Sequence, residues 1–371
     1  MSLLRRFDWV LFIVMLVIIG IGFAMINSAY QLPSTDPGYD WRDNLLLRQM
    51  LFAGIGLVLY LVMAIIDYRI LVEHALWVFF ATLVILVITL IVANPTFGTS
   101  AWLDVGIFGI QPSELSKVLV ILVLARVLGE SQRRLESLVP LLQSVVVLGI
   151  PAALVYLQSD LGMVLLLAIT WIGMVFISGV RWRHLLALSG VAAGAVPVVW
   201  FRLEDYMRGR VTEFLNPGQD PLGSSYNINQ ALISIGSGGL WGKGYMQGSQ
   251  SQLRFLRVRH TDFIFSVLCE EFGFAGALVL ILLFLVMFMR LLRIAERAAD
   301  GPGRLIAAGV TIVIFAQVFI NMGVNASLLP VTGLPLPMVS YGGSSLITTM
   351  IALGLAQSVA LRRPGEDNPL L

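Results

Sequence analysis

Apolar runs long enough to cross a bilayer recur along the whole chain, and no other sequence feature restricts the fold as strongly. A membrane-spanning helix needs about 20 predominantly apolar residues, and backbone polar groups inside a bilayer must be satisfied internally, which favours helices. We therefore predict an all-α, polytopic membrane protein with about ten transmembrane helices. The runs cover 9–28, 47–66, 74–93, 113–128, 139–157, 161–178, 184–201, 263–289, 304–325 and 343–361.

The amino-acid composition supports the same fold class. The 371 residues are 58% hydrophobic and 12% charged, whereas soluble globular chains average about 45–50% apolar and about 25% charged residues. A net charge of +2 does not suggest nucleic acid as a partner. The single cysteine, Cys269, excludes an internal disulfide and a cysteine-rich metal site. No internal repeat or low-complexity linker divides the chain, so we treat 1–371 as one integral membrane domain.

Arginine residues are concentrated in alternate connections between the apolar runs. Short cytoplasmic loops are enriched in Lys and Arg, so this pattern predicts that both termini are cytoplasmic. Arg5 and Arg6 precede the first run without a cleavage-site pattern, which predicts an uncleaved signal anchor. Any chemistry is expected at the outer leaflet, because the outer connections are the richest in polar, Gly and Pro residues. These are 94–112, the turn at Asp160, the large loop 202–262 between helices 7 and 8, and 326–342.

Two opposite charges open the fourth apolar run. Glu114 and Lys117 are three residues apart, so on a helix they share a face and can pair. Charged residues in a membrane helix usually face the bundle interior or a wet cavity. One interpretation is a structural ion pair. The other is a cationic contact for an anionic head group, with Glu114 orienting Lys117.

Two aspartates lie at the predicted starts of helices. Asp160 is in a short turn before the sixth run and is expected to cap that helix, with a functional role also open. His260 and Thr261 precede the eighth helix and Asp262 is expected in its first turn, where a cap formed by Thr261 would explain them without a function. The alternative is that Asp262 is functional, because a carboxylate at a membrane boundary is costly. Glu270 and Glu271 are expected to bond inside the bundle.

The outer segments contain two further unusual stretches. A glycine-rich stretch at 236–244 lacks the spacing of a Walker loop, so it predicts either tight turns or a close backbone approach to phosphate or sugar. The stretch 329–345 is apolar but contains three prolines. Irregular backbone at membrane depth is tolerated only against protein or a wet cavity, so we expect this segment to line a cleft. The histidines have no ligand spacing that indicates a metal site.

These stretches together resemble the SEDS family (shape, elongation, division and sporulation). The likeness is carried by 111–114 with Lys117, by 236–244, by 260–263 and by 330–345, in an order that covers most of the chain. Arg259, 241–244 and 333–337 resemble the rod-shape branch more than the division branch. Ser159 is a departure, since the family usually has Pro there.

The resemblance implies a peptidoglycan glycosyltransferase that polymerises lipid II for cell elongation and rod shape. It implies a bacterial inner-membrane protein whose partners are a class B penicillin-binding protein and other membrane proteins of the elongation complex. Asp262 would be the general base of an inverting transfer. The residues expected to bind substrate are Lys117, Glu114, Arg48, Arg210, Asp160, His260, Lys243 and Ser340.

Two questions stay open from the sequence. No cofactor is evident, but a divalent cation, Mg²⁺ or Mn²⁺, near Asp262 is an alternative that the residues do not decide. The main rival function is a flippase that moves a lipid-linked precursor across the bilayer, since one cavity would suit both activities. A non-catalytic scaffold is a third reading, but it leaves the buried charges unexplained. The crowding of polar residues at the outer face favours the enzyme.

Overall fold

The computed structural model is a bundle of helices with one short pair of strands. It describes residues 6–30, 44–93, 102–104, 109–129, 139–180, 205–215 and 226–364, and isolated positions between 183 and 201. The helices are α1 Trp9–Ala29, α2 Leu45–Ile65, α3 Tyr68–Glu73, α4 Ala75–Val92, α5 Pro112–Gly129, α6 Val139–Leu157, α7 Leu161–Ile177, α8 Asp205–Leu215, α9 Tyr226–Gly238, α10 Ser249–Gln252, α11 Ile264–Glu296, α12 Gly301–Asn325 and α13 Gly343–Leu361. The antiparallel strands are β1 Leu103–Asp104 and β2 Gly109–Ile110.

The prediction of an all-α membrane protein is confirmed. Within the described residues, seven helices are long and apolar enough to cross a membrane: α1, α2, α4, α6, α11, α12 and α13. Two more of the predicted spans are also helices: α5, which carries three charged residues, and the 17-residue α7. The predicted seventh span, 184–201, lies outside the continuously described residues, so the number ten stays a prediction.

The last two helices lie at the centre of the described bundle. Most residues of α12 and α13 are buried; α12 packs against α5, α7 and α11, and α13 packs along α2. Small residues permit this close approach. A Cβ added at Gly354 would meet the main chain of Tyr60, and one at Gly56 would meet the side chain of Met350. The central position of α12 makes it the scaffold for the polar side chains described below.

One end of the bundle is held by ion pairs. Asp8 caps α1 and pairs with Arg290 near the end of α11 at 2.7 Å. Asp300 pairs with Arg69 at 2.9 Å and accepts a hydrogen bond from the Tyr68 hydroxyl at 2.8 Å. These contacts tie α1, α3, α11 and α12 together. We call this the arginine end, and the opposite end, which carries Asp160 and Asp262, the site end.

The long helix α11 is broken at Gly273, whose φ is 65°. The break separates four main-chain groups that would otherwise pair along the helix. The carbonyls of residues 270 and 271 accept from the amides of residues 243 and 244, at 3.0 and 2.9 Å. The amides of residues 274 and 275 donate to the carbonyls of residues 239 and 240, at 2.9 and 3.0 Å. The glycine-rich stretch therefore docks on the broken turn.

Glycine is required at this junction because two backbones touch. A Cβ at Gly242 would overlap the carbonyl of Glu271, and one at Gly273 would overlap the amide nitrogen of Gly242. Gly242 and Gly273 also have positive φ, which glycine tolerates best. Of the two alternatives for 236–244, the tight turn explains the motif in this structure.

Candidate functional site

The proline-containing segment between α12 and α13 forms one wall of the site end. Its apolar side chains are buried, among them Leu334, Leu336 and Val339. Its carbonyls have no helical partners, and side chains from elsewhere donate to them instead. The carbonyl of residue 331 accepts from Arg210 at 3.2 Å, that of 334 from Asn321 at 2.9 Å, that of 335 from Gln317 at 2.9 Å, and that of 340 from Gln49 at 3.2 Å. The segment is thus fixed irregular backbone packed against protein, as such backbone at membrane depth requires.

Asp262 lies in a turn immediately before α11, facing this segment. Its main-chain carbonyl accepts two hydrogen bonds, from Asn321 at 3.0 Å and from Asn325 at 2.8 Å. The Ser340 hydroxyl donates to the neighbouring carbonyl of Thr261 at 2.6 Å. The backbone around the carboxylate is therefore held from two sides.

The expectation that Thr261 caps the following helix is wrong. The N-cap position is Phe263, which makes no side-chain capping bond. The Thr261 hydroxyl instead donates back to the carbonyl of Val258 at 3.2 Å. The turn at 258–263 delays the start of α11, so Asp262 precedes the helix and does not lie in its first turn.

Burial gives the Asp262 carboxyl an unusual proton affinity. Loss of water around it raises its pKa above the ordinary value of an aspartate, while the positive charge of Arg210 and a hydrogen bond with Thr261 oppose the rise. A carboxylate out of water holds a proton more strongly because its charged form is poorly solvated. Asp262 is consequently a stronger base than a solvated aspartate.

Asp160 is both a helix cap and a member of the site. Its Oδ1 accepts from the amide of Met163 at 3.0 Å, which confirms the predicted cap of α7. Its Oδ2 accepts from Gln111 at 2.9 Å. Burial raises the pKa of Asp160 to about 6, the cap bond opposes this, and Glu114 adds to the rise while Arg210 and Lys117 reduce it. The carboxyl group is therefore within electrostatic reach of three other predicted site residues.

The predicted pair on α5 is confirmed. Lys117 Nζ lies 2.5 Å from Glu114 Oε2, and both side chains are buried. Lys117 Nζ also donates to Gln317 Oε1 on α12 at 3.0 Å. A buried ammonium group with these two partners is well satisfied, so the ion pair explains the residue types without a ligand.

Two of the remaining predicted residues, His260 and Arg48, lie near tyrosine side chains. The His260 ring meets Tyr30 and Tyr341 edge-on, with centroids 5.7 and 6.0 Å apart. Burial, helped by the charge of Arg259, lowers the pKa of His260, so its imidazole is neutral at pH 7. Arg48 acts electrostatically on the Tyr341 hydroxyl, whose pKa burial raises. His260 therefore offers a neutral polar group to a ligand.

Lys243 lies apart from the carboxylates of the site. Its ammonium group pairs with Glu270 at 2.8 Å and donates to Ser249 at 2.8 Å. Glu270 also accepts from the amides of residues 250 and 251, and Glu271 accepts from Ser28. Both glutamates thus bond inside the protein as expected, and Lys243 is accounted for by this cluster. Its predicted contact with substrate stays a prediction.

The structure thus brings five predicted site residues into one electrostatic neighbourhood: Glu114, Lys117, Asp160, Arg210 and Asp262. Sequence reasoning missed the amides that organise them. Gln317, Asn321 and Asn325 recur every four residues in an otherwise apolar helix. That spacing places them on one helical face and was a readable signal.

The described residues offer no ready cage for a metal ion. Across the part of the chain that the structure describes, no three His, Cys, Asp or Glu side chains are grouped closely enough to hold one. Mg²⁺ often binds through one or two carboxylates together with substrate phosphates. The divalent cation near Asp262 therefore stays a prediction.

Comparison with known proteins gives concordant matches along the chain. A family model described as "Cell cycle protein", which covers FtsW, RodA and SpoVE, matches residues 8–364. The peptidoglycan glycosyltransferase MrdB of Escherichia coli is 41% identical over 315 residues, 84% of each chain. The probable peptidoglycan glycosyltransferase FtsW of Trichlorobacter lovleyi is 35% identical, over 96% of this chain and 94% of that protein. Stage V sporulation protein E of Bacillus subtilis is 37% identical, over 95% and 96%.

Solved structures match the fold as well as the sequence. A chain of a structure described as the coordination of polymerization and crosslinking by a peptidoglycan synthase complex has a TM-score of 0.80 and 33% identity, covering 95% of this chain and 97% of that one. The rod shape determining protein RodA of Thermus thermophilus has a TM-score of 0.70 and 31% identity, covering 97% and 98%.

Proposed function

Because the chain belongs to the FtsW/RodA/SpoVE family and is a peptidoglycan glycosyltransferase, we propose that Asp262 is the general base of an inverting transfer that polymerises lipid II. The observation that carries this is a carboxylate of raised pKa on a backbone held by Asn321, Asn325 and Ser340. Catalysis needs a base of suitable proton affinity that does not move.

The reaction is a single displacement. Asp262 accepts the proton of the acceptor sugar's 4-hydroxyl, and that oxygen forms the new bond to the anomeric carbon of the donor. The bond from this carbon to the pyrophosphate breaks, and undecaprenyl pyrophosphate leaves with the bonding electrons. One inversion converts the α-linked donor into a β-1,4 linkage. An ordinary aspartate of pKa about 3.9 is a weak base for this step, and burial strengthens it.

The leaving pyrophosphate needs positive charge, and Arg210 is our first candidate for it. From the sequence, Lys117 is a candidate cationic contact for an anionic head group, but it is buried and already balanced by Glu114. Arg210 is only half-buried and acts electrostatically on both Asp160 and Asp262. A guanidinium group also binds phosphate oxygens in a bidentate manner.

The site end is proposed to face the outside of the cell and both termini the cytoplasm. In the structure Arg6 donates to the carbonyl of Arg363, so the two ends of the described chain meet at the arginine end. The positive-inside rule supports a cytoplasmic location for that end. The arginines concentrated there are Arg69, Arg126, Arg290, Arg293, Arg297, Arg304, Arg362 and Arg363.

The proposed partner is a class B penicillin-binding protein, which would cross-link the new strand. Support comes from the similarity to a chain of a peptidoglycan synthase complex. Similarity to MrdB and to RodA agrees with the expected branch that acts in elongation. Contacts with other membrane proteins of the elongation complex stay an expectation from the resemblance.

The test is reconstitution of the purified chain and its partner with labelled lipid II. An Asp262→Asn variant keeps the shape of the side chain but cannot accept the proton. We expect glycan synthesis to fall by about 10²–10⁴-fold. Asp67→Asn is the matched control, because Asp67 lies at the arginine end and pairs with Arg362 at 3.0 Å; it should polymerise at nearly the wild-type rate.

Two results would contradict the proposal. Normal polymerisation by a folded Asp262→Asn variant would show that Asp262 is not the general base. The flippase would instead be favoured if the protein without its partner moved lipid II across vesicle membranes and made no glycan. The rate of that movement would then be equal in wild type and in Asp262→Asn. The clustering of charged site residues at one end of the bundle argues against that rival, because transporter sites lie near the bilayer midplane.

A further inference from the structure

Three buried amides form a stripe along one face of α12. Gln317, Asn321 and Asn325 are four residues apart, and each is at most 2% exposed. Burying an amide without hydrogen bonds costs free energy, so the stripe must be satisfied. Its partners are not spread through the bundle. They are Lys117, the turn that carries Asp262, the segment between α12 and α13, and one serine near the start of each of α11 and α13, Ser266 and Ser345.

Asn325 joins the Asp262 turn to the start of α11. Its Nδ2 donates to the main-chain carbonyl of Asp262 at 2.8 Å. Its Oδ1 accepts from the amide of Ser266 at 3.1 Å and from the Ser266 hydroxyl at 2.7 Å. One side chain therefore does the work of the missing helix cap, because Phe263 makes no capping bond of its own.

Asn321 and Gln317 extend the connection to the proline-containing wall. Asn321 Nδ2 donates both to the carbonyl of Asp262 at 3.0 Å and to the carbonyl of Leu334 at 2.9 Å. Gln317 accepts from Lys117 at 3.0 Å and donates to the carbonyl of Pro335 at 2.9 Å. The stripe thus fixes the carboxylate turn against Leu334 and the buried cation against its neighbour Pro335.

We propose that Asn321 and Asn325 are positioning residues for catalysis, which set the place of the Asp262 carboxylate against the wall. This inference rests on the proposed role of Asp262 as the base. The two donors use both lone pairs of the Asp262 carbonyl, so that peptide is held in direction as well as position. A misplacement of about 1 Å in a catalytic group can cost 10²-fold in rate.

The variants are Asn325→Leu and Asn321→Leu, with Gln357→Leu as the matched control. Gln357 is an equally buried amide on α13 that accepts from the Tyr60 hydroxyl at 3.2 Å, toward the arginine end. All three replace a buried amide by an apolar side chain. Each variant is measured in the full complex for thermal unfolding, for kcat and KM of lipid II polymerisation, and for the pH dependence of kcat/KM.

We expect each asparagine variant to lose about 10–100-fold in kcat, with KM for lipid II changed by no more than about threefold. The acid limb of kcat/KM should move to lower pH, because a loosened Asp262 regains water and its pKa falls. Gln357→Leu should lower the melting temperature by a similar amount and leave kcat and the acid limb unchanged.

The inference is overturned if the asparagine variants keep wild-type kcat, or if Gln357→Leu at equal melting temperature loses as much. It is also overturned if the acid limb stays in place. Asp262→Asn in the same assay separates the two proposals. If Asp262→Asn is inactive and the asparagine variants are fully active, only the positioning role is contradicted. If Asp262→Asn is active, Asp262 is not the base.

Discussion

Two aspartates of the site differ in what their oxygens contact. Asp160 has one hydrogen-bond donor on each oxygen, from Met163 and Gln111, and these bonds hold it as a structural cap. Asp262 is anchored through its backbone carbonyl, and its carboxylate has a hydrogen bond with Thr261 but no capping bond to a helix. Different surroundings can give two carboxyl groups different roles. These contacts support the proposed proton transfer by Asp262 and a supporting role for Asp160.

Polymerisation should fall on acidification through the pKa of Asp262, which lies above the ordinary value of about 3.9. The base must be ionised, so activity rises with pH through this pKa. The measurement is the pH dependence of kcat/KM in wild type and in Asp160→Asn, because Asp160 titrates at a pKa of about 6. The fall in kcat/KM on acidification should remain in Asp160→Asn.

Protonation of these two aspartates does not itself destabilise the fold in acid. The pKa values of both aspartates are higher in the folded than in the unfolded chain. The folded state therefore binds more protons between the two values, and these groups make folding less favourable as pH rises. Their effect on stability and their effect on activity have opposite signs. A profile that is flat down to about pH 4, or a limb that disappears in Asp160→Asn, would contradict the assignment.

Some of these residue contacts could be predicted from sequence and others could not. The pairing of Glu114 with Lys117 follows from their spacing on a helix, and the cap at Asp160 follows from its position before an apolar run. The partner of Lys243 is Glu270, 27 positions away. That contact exists only because the two stretches meet in the folded protein, so local pattern does not show it.

Among the elements, α11 departs most from a simple transmembrane helix. Its break at Gly273 is stabilised by four hydrogen bonds to the stretch 239–244. The run 263–289 predicts the helix correctly, because apolar periodicity and length are local. It does not predict the break, because a single glycine within an apolar run is compatible with a continuous helix and its docking partner lies about 30 positions earlier.

Gly273→Ala should destabilise the protein without touching the site. Gly273 has φ 65° and ψ −163°, a conformation essentially restricted to glycine, where alanine costs about 1–3 kcal/mol. The added Cβ would also overlap the amide nitrogen of Gly242. We expect a loss of at least about 2 kcal/mol in the free energy of unfolding. Thermal unfolding of the detergent-solubilised protein measures it.

Gly54→Ala is the matched control for this prediction. Gly54 lies within α2, and a Cβ there would meet nothing within 4 Å. Alanine in an open helical position stabilises by roughly 0.5–1 kcal/mol. Equal melting temperatures for the two variants would mean that the junction at Gly273 contributes little.

At the scale of the whole molecule, the two ends of the bundle have different chemistry. The pairs Asp8–Arg290 and Arg69–Asp300 lie at one end together with further arginine side chains. The aspartates of raised pKa and their amide partners lie at the other end. The uneven arginine distribution was readable in the sequence. Which side chains meet at each end was not, because that depends on how α12 and α13 pack between the other helices.

The proposed orientation predicts which positions a membrane-impermeant thiol reagent reaches in intact cells. The only cysteine, Cys269, is buried and can be replaced by alanine as background. Leu328→Cys, after α12, should be labelled from outside, since Leu328 is 71% exposed at the site end. Ala299→Cys, between α11 and α12, should react only after permeabilisation. The reverse pattern would place Asp262 on the cytoplasmic side and contradict the mechanism.

The junction at Gly273 has a mechanical consequence. Residues 274–296 of α11 cannot tilt against residues 264–272 unless two hydrogen bonds break. These are the bonds from the amides of residues 274 and 275 to the carbonyls of residues 239 and 240. These hydrogen bonds therefore hold the break in α11 in one geometry. Bending motions of residues 274–296 must disturb residues 239 and 240 before they displace the turn ahead of Ile264 that carries Asp262.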